Sequence, residues 1–155
     1  MLHIEIPGRA PLSIQNIALD YNGTIAADGA LSESIRARIS ALCPHASVYV
    51  LTADTYGSVQ AQCRDLGVTV MTFPKADAGV CKAEIVRQLS GSTVCLGNGY
   101  NDIQMFDIAA LSIAVLDAEG ICASLLPHAD VLVRSAEEGL DLLLKPDRLR
   151  ATLRT

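Results

Sequence analysis

Short runs of apolar and β-branched residues alternate along the chain with segments whose apolar positions recur every three or four residues. The runs lie at residues 17–19 (leading into Asp20), 47–51, 68–72, 93–96, 112–115 and 130–133. They are apolar throughout, the pattern of strands covered by helices on both faces. Between them, Ser32 is placed to cap a helix carrying Ile35, Ile39 and Leu42 on one face. Thr55 precedes Tyr56, Val59, Cys63 and Leu66 in a second helical pattern that Gly67 can end. Ser135 and Glu138 fit a capping box ahead of Leu140, Leu143 and Leu144, and Pro146 stops that pattern. Strand, helix and strand at these lengths require right-handed crossovers and a mostly parallel sheet. The expected architecture is a three-layer α/β/α sandwich with a Rossmann-like sheet. Two segments break the alternation. Residues 2–14 read as two short strands around a Pro-Gly turn, an edge hairpin. Residues 25–31 carry Asp28-Gly29, a hairpin-turn signal placed directly after the first parallel strand. That hairpin would project from the carboxyl edge of the sheet, where open α/β folds bind ligands.

Composition narrows the reading. A length of 155 residues suits a single domain spanning residues 1–155, large enough for a core without disulfides or a structural metal. Half the residues are apolar, and the net charge of −5 with scattered basic residues disfavours nucleic acid and anionic membranes as partners. No apolar run approaches the roughly 18–20 residues that cross a bilayer, and the first ten residues lack the pattern of a signal peptide. The five cysteines form no C-x-x-C pair and sit among apolar or small neighbours, which reads as a reduced, cytoplasmic protein.

The candidate chemistry lies at strand ends. Asp20 ends the first parallel strand and is followed by Tyr21, Asn22, Gly23 and Thr24. Thr52 and Ala53 follow the second, and the segment from Gly97 to Asp102 (GNGYND) follows the fourth. Lys82 begins the helix leading into that fourth strand, with Lys75 as a rival seven residues earlier. A carboxylate, a hydroxyl, an ammonium and a second carboxylate converging on one crevice suit phosphoryl transfer. That reaction needs an in-line nucleophile, donors to the equatorial oxygens and positive charge. Asp20 can be the nucleophile and form an acyl-phosphate. Asn22, Gly23, Thr52 and Ala53 can bind phosphate oxygens together with Lys82. Asp20 and Asp102, with the Asn22 carbonyl and waters, can hold one Mg²⁺ on oxygen ligands. Asp54 and Asp28 read as a loop acid and a turn former. His3, His45 and His128 stand beside no motif.

These segments resemble, in order, the four motifs of the haloacid dehalogenase superfamily: Asp20-Tyr-Asn-Gly-Thr24, Thr52, Lys82 and Gly97-Asn-Gly-Tyr-Asn-Asp102. Within it the chain looks most like the phosphorylation domain of P-type ATPases and their soluble, capless relatives. The resemblance implies a Mg²⁺-dependent phosphohydrolase or ATPase-like enzyme, acting on ATP or a small phosphorylated substrate. No insert is long enough for a cap domain, and small capless members often close the site with a second subunit, so a homo-oligomer is expected. Two positions depart from the family pattern. Asn22 stands where its phosphatases carry a general acid–base Asp, a kind of help worth about 10²–10⁴-fold. Asn98 replaces an Asp expected on Mg²⁺, so the site lacks one negative charge. These replacements motivate a second reading, a catalytically weak or inactive domain that binds phosphate or a nucleotide as a regulatory module. Both asparagines precede glycine, a dipeptide prone to deamidation, which would restore the carboxylates.

Overall fold

In the computed structural model, residues 1–54 and 57–155 are described. Six parallel strands form the sheet: β2 (Leu12–Asp20), β3 (Ser47–Thr52), β4 (Thr69–Thr72), β5 (Ser92–Gly97), β6 (Leu111–Val115) and β7 (Val131–Val133). Their order is β4-β3-β2-β5-β6-β7, and β1 (Leu2–Ile4) pairs antiparallel with the start of β2. Consecutive strands therefore progress outward from β2 on one side and from β5 on the other. The order reverses between β2 and β5, the place where open α/β sheets leave a crevice beyond their carboxyl ends.

Successive residues of β2 face opposite layers, and their packing separates accordingly. Ile17 and Leu19 are buried with Ile35 and Ile39 of α1 (Glu33–Leu42) and with Leu140 and Leu143 of α5 (Ala136–Leu144). Val59 of α2 (Ser58–Gln62) and Leu149 of α6 (Pro146–Leu153) join that layer. Ala18 lies on the other face with Cys95 and Ala114, against Val86 of α3 (Ala78–Gln88) and Met105 and Phe106 of α4 (Ile103–Ile108). The expected sandwich is present, with helices on both faces.

Local signals act where they were read. The Ser32 side chain caps α1 by accepting from the Ile35 N–H at 3.2 Å. Asp28 and Gly29 both have positive φ, at 51° and 79°, the geometry of a type I′ turn, and Ala27 bridges Ala30 across it. Pro146 ends α5 as expected and opens α6, where a first-turn proline loses no helical hydrogen bond and Leu149 and Leu153 pack inward. Three details differ from expectation. The N-terminal hairpin is not at a sheet edge: its second strand runs on into β2, the central strand. Only half of the capping box forms. Ser135 accepts from the Glu138 N–H, but Glu138 accepts from the Arg134 N–H and pairs with the Arg134 guanidinium instead of reaching the Ser135 N–H. The second helix is short: α2 starts at Ser58, while Thr55 and Tyr56 lie outside the described residues.

Candidate active site

The crevice between the ends of β2 and β5 holds a buried ionic cluster. Asp20 is the last residue of β2, and Lys82 reaches it from the second turn of α3. The Lys82 ammonium, 2% exposed, donates to Asp20 Oδ1 at 2.7 Å, Asp102 Oδ1 at 2.7 Å and Asn101 Oδ1 at 2.8 Å. All three of its protons have oxygen acceptors. Burial lowers the Lys82 pKa, but the charges of Asp20 and Asp102 more than offset this and leave it above its ordinary value. One cation facing two carboxylates leaves one negative charge over. Burial, then the charge of Asp102, push the Asp20 carboxyl up to about 7, against the pull of Lys82 and a hydrogen bond from Thr24.

The other oxygen of Asp20 faces a second set of groups. Thr24 Oγ1 lies 2.8 Å from Asp20 Oδ2 and 3.1 Å from Asn98 Oδ1. A hydroxyl has one proton and cannot donate to both. The Asn98 amide is fixed in this sense because its Nδ2 donates to the Gly120 carbonyl at 3.1 Å. Two acceptor oxygens thus face a single hydroxyl proton, and the surplus of lone pairs fits a hard cation such as Mg²⁺.

Two close approaches explain glycines in these motifs. A Cβ at Gly97 would fall 2.5 Å from Asp102 Cγ, and one at Gly23 would fall 2.5 Å from Asn98 Nδ2. Asp20, Asn22, Thr52, Ala53, Lys82 and Asn98 line one cavity of about 220 Å³, along with Phe73, Gly99 and Asn101. Thr52 Oγ1 accepts from the Asp54 N–H at 3.1 Å, which leaves the hydroxyl proton to donate. The Asn22 side chain is exposed and makes no hydrogen bond among the described residues.

Two expected site residues are placed elsewhere. Gly23 does not line this cavity, and its N–H donates to the Ala26 carbonyl at 2.9 Å, closing the turn after Asp20. Asp102, expected on the metal, sits behind Lys82 with no exposure. Its Oδ2 accepts from the N–H groups of Asn98 at 3.0 Å and Gly99 at 2.9 Å. Moving it onto a metal would strip acceptors from Lys82 and from both N–H groups. Asn101 and Phe73 were not singled out from sequence. Asn101 had a signal, its place beside Asp102 in the GNGYND segment, whereas Phe73 enters only through the strand order. Lys75, the rival lysine, is exposed and makes no contact with Asp20. Asp28 is the turn former it was read as.

The fold is that of haloacid dehalogenase (HAD)-type hydrolases. The 3-deoxy-D-manno-octulosonate 8-phosphate phosphatase of Moraxella catarrhalis, solved with a magnesium ion, a phosphate ion and a KDO molecule, superposes with a TM-score of 0.71. It is 16% identical, over 91% of this chain and 94% of that one. The cobalt-bound form of the deoxy-D-mannose-octulosonate 8-phosphate phosphatase (YrbI) of Haemophilus influenzae gives 0.70 at 16% identity, over 92% and 94% of the two chains. A Streptomyces avermitilis protein described as a HAD-family hydrolase gives 0.67 at 19% identity, over 86% and 87%. In sequence, the uncharacterized protein MJ0073 of Methanocaldococcus jannaschii is 32% identical over 80 residues, 48% of this chain and 86% of that protein. The chain belongs to the same family as MJ0073. The uncharacterized protein MJ0072 of that organism is 49% identical over 39 residues, 25% of this chain and 89% of that protein. No protein-family model matches the chain.

Proposed function

We propose that this chain is a phosphohydrolase that transfers a phosphoryl group to Asp20 and then to water, with a divalent cation as cofactor. The observation that carries this reading is the Asp20–Lys82–Asp102 cluster beside a cavity at the reversal point of the sheet. An oxygen of Asp20 attacks phosphorus and the bond to the leaving oxygen breaks; water then attacks phosphorus, the bond to Asp20 breaks, and inorganic phosphate departs with the Asp20 carboxylate regenerated. Lys82 neutralises charge on the transferring group, which requires it to exchange one of its three acceptors for a phosphate oxygen. Thr52 donates its hydroxyl proton to a second phosphate oxygen. The N–H groups of Asn22 and Ala53 are not taken up by hydrogen bonds among the described residues and supply further donors. Asp20, the Asn22 carbonyl and Asn98 would hold Mg²⁺, which supplies charge neutralisation at the phosphoryl oxygens. Asp102 positions Lys82 and the loop that carries Asn98. With no proton to give at Asn22, the enzyme favours donors whose leaving group departs unprotonated, acetyl phosphate and ATP over simple alkyl phosphates. A second copy of the chain would close the mouth, so light scattering is expected to give an oligomer.

The second reading, a phosphate- or nucleotide-binding module, draws on Asn22 and Asn98, which leave Asp20 as the one carboxylate lining the cavity among the described residues. Phosphate release from p-nitrophenyl phosphate, acetyl phosphate and ATP with Mg²⁺, in wild type and Asp20→Ala, separates the two. Release that disappears in the variant supports the enzyme. Equal background in both proteins with every donor supports the module.

A further inference from the structure

The cavity beside Asp20 has two kinds of wall. One is polar, and the other is made by Leu51, Ala53, Phe73 and Ala78. The backbone brings that apolar side close to the reacting groups. Leu51 of β3 is in register with Asp20 of β2, and the N–H of Phe73, one residue past β4, donates to the Thr52 carbonyl at 3.2 Å. Ala78 opens α3 one turn before Lys82 and shares its helix face. Phe73 is 7% exposed and belongs to the same packed layer as Leu51 and Val86, which makes it a fixed wall.

Size, charge and proton supply each limit what sits against this wall. The volume of about 220 Å³ is below the roughly 300 Å³ at which pockets for drug-sized ligands begin. It holds a phosphoryl group with a small substituent, and a nucleoside would stay outside. Lys82 is the one cation lining the cavity among the described residues, enough for a single phosphoryl group and too little for a polyphosphate chain. The other ionisable lining group among those residues is Asp20, which attacks phosphorus. Lys82 would lose the charge that the transferring group needs if it gave up a proton. The leaving oxygen therefore departs as an anion.

We propose that the substrate is a small acyl phosphate, the mixed anhydride of phosphate and a short carboxylic acid, and that Phe73 limits the size of its acyl group. The inference rests on the phosphohydrolase reading and names its substrate class. An Asp20 oxygen bonds to phosphorus as the bond to the acyl oxygen breaks, and the electron pair leaves on a carboxylate that needs no proton. Water then attacks phosphorus and the bond to Asp20 breaks. Inorganic phosphate keeps one proton of that water, and the other passes to solvent. The short acyl chain packs on the apolar wall.

Phosphate release from acetyl phosphate, benzoyl phosphate and ATP with Mg²⁺ tests this, with release by Asp20→Ala subtracted as background. In all three the leaving group needs no proton, and the two acyl phosphates differ in the size of the acyl group. Wild type is expected to show a kcat/KM about tenfold or more higher for acetyl phosphate than for benzoyl phosphate or ATP, the scale of a misfit in an apolar pocket. Phe73→Ala is expected to raise the ratio of benzoyl to acetyl phosphate kcat/KM about tenfold. Phe73→Leu, which keeps an apolar side chain in the layer, is expected to shift the ratio the same way. Because it is a ratio, the fraction of folded protein cancels. A ratio equal to that of wild type in both variants overturns the role of Phe73. Asp20-dependent turnover of ATP that matches or exceeds that of acetyl phosphate overturns the substrate class and leaves the phosphohydrolase reading standing. No release above Asp20→Ala from any donor overturns both.

Discussion

Asp20 carries the tension of the site in its own titration. Burial and the charge of Asp102 raise its pKa from the ordinary 3.8 to about 7, although Lys82 stands 2.7 Å away. A carboxyl with a raised folded pKa stabilises the fold below its unfolded value and loses that contribution as pH rises through the folded one. Stability from this group therefore declines between about pH 4 and pH 7. Asp20→Asn is expected to melt higher than wild type at pH 8, by roughly 1–2 kcal/mol in urea unfolding, and to lose that advantage at pH 4. An unchanged difference across that range contradicts the raised pKa. The strand-end positions of Asp20, Thr52 and Asn98 were legible because few polar groups interrupt apolar runs, and Lys82 was legible on the helix ahead of β5. The allocation of hydrogen bonds was not legible. That Gly23 spends its N–H on Ala26, and that Asp102 serves Lys82 and a loop, depends on closing distances that spacing does not give. The same bonds bear on deamidation. The N–H of Gly23 is held by the Ala26 carbonyl and that of Gly99 by Asp102, which ties up the nitrogen that must attack each asparagine.

At the scale of elements, the caps and turns were readable wherever a single residue decides the geometry, as at Ser32 and at Asp28-Gly29. They were misread where a neighbour competes. The Arg134 guanidinium and N–H draw Glu138 out of the box with Ser135. The β5-to-α4 loop shows how tightly an element can bind its sequence. Gly97 has no room for a methyl group against Asp102, whereas Gly29 would carry one into open space. Gly97→Ala is expected to cost about 1–3 kcal/mol through overpacking and to abolish activity by displacing Asp102 from Lys82. Gly29→Ala bears only the strain of its positive φ, about 1 kcal/mol, and keeps the cluster intact. Denaturant unfolding with phosphate-release assays checks both. An active Gly97→Ala would show that the Asp102 clamp is dispensable.

For the whole molecule, the alternation of apolar runs and helical segments gave the three layers. The strand order that makes the crevice was not in the pattern itself, since crossovers of the same hand can build more than one order. Once β2 and β5 are neighbours, residues about eighty positions apart become one site, and the lysine of α3 falls between their ends. Among the described residues no helix is long and apolar enough to cross a membrane. The central claim is that Asp20 becomes covalently phosphorylated. The most direct measurement is peptide mapping by mass spectrometry after brief incubation with acetyl phosphate and Mg²⁺ and an acid quench. Phosphate on the peptide containing Asp20, absent from Lys82→Met and from Asp20→Ala, is the expected result. Turnover of acetyl phosphate with no phosphate captured on that peptide, under conditions that preserve acyl-phosphates, would contradict it.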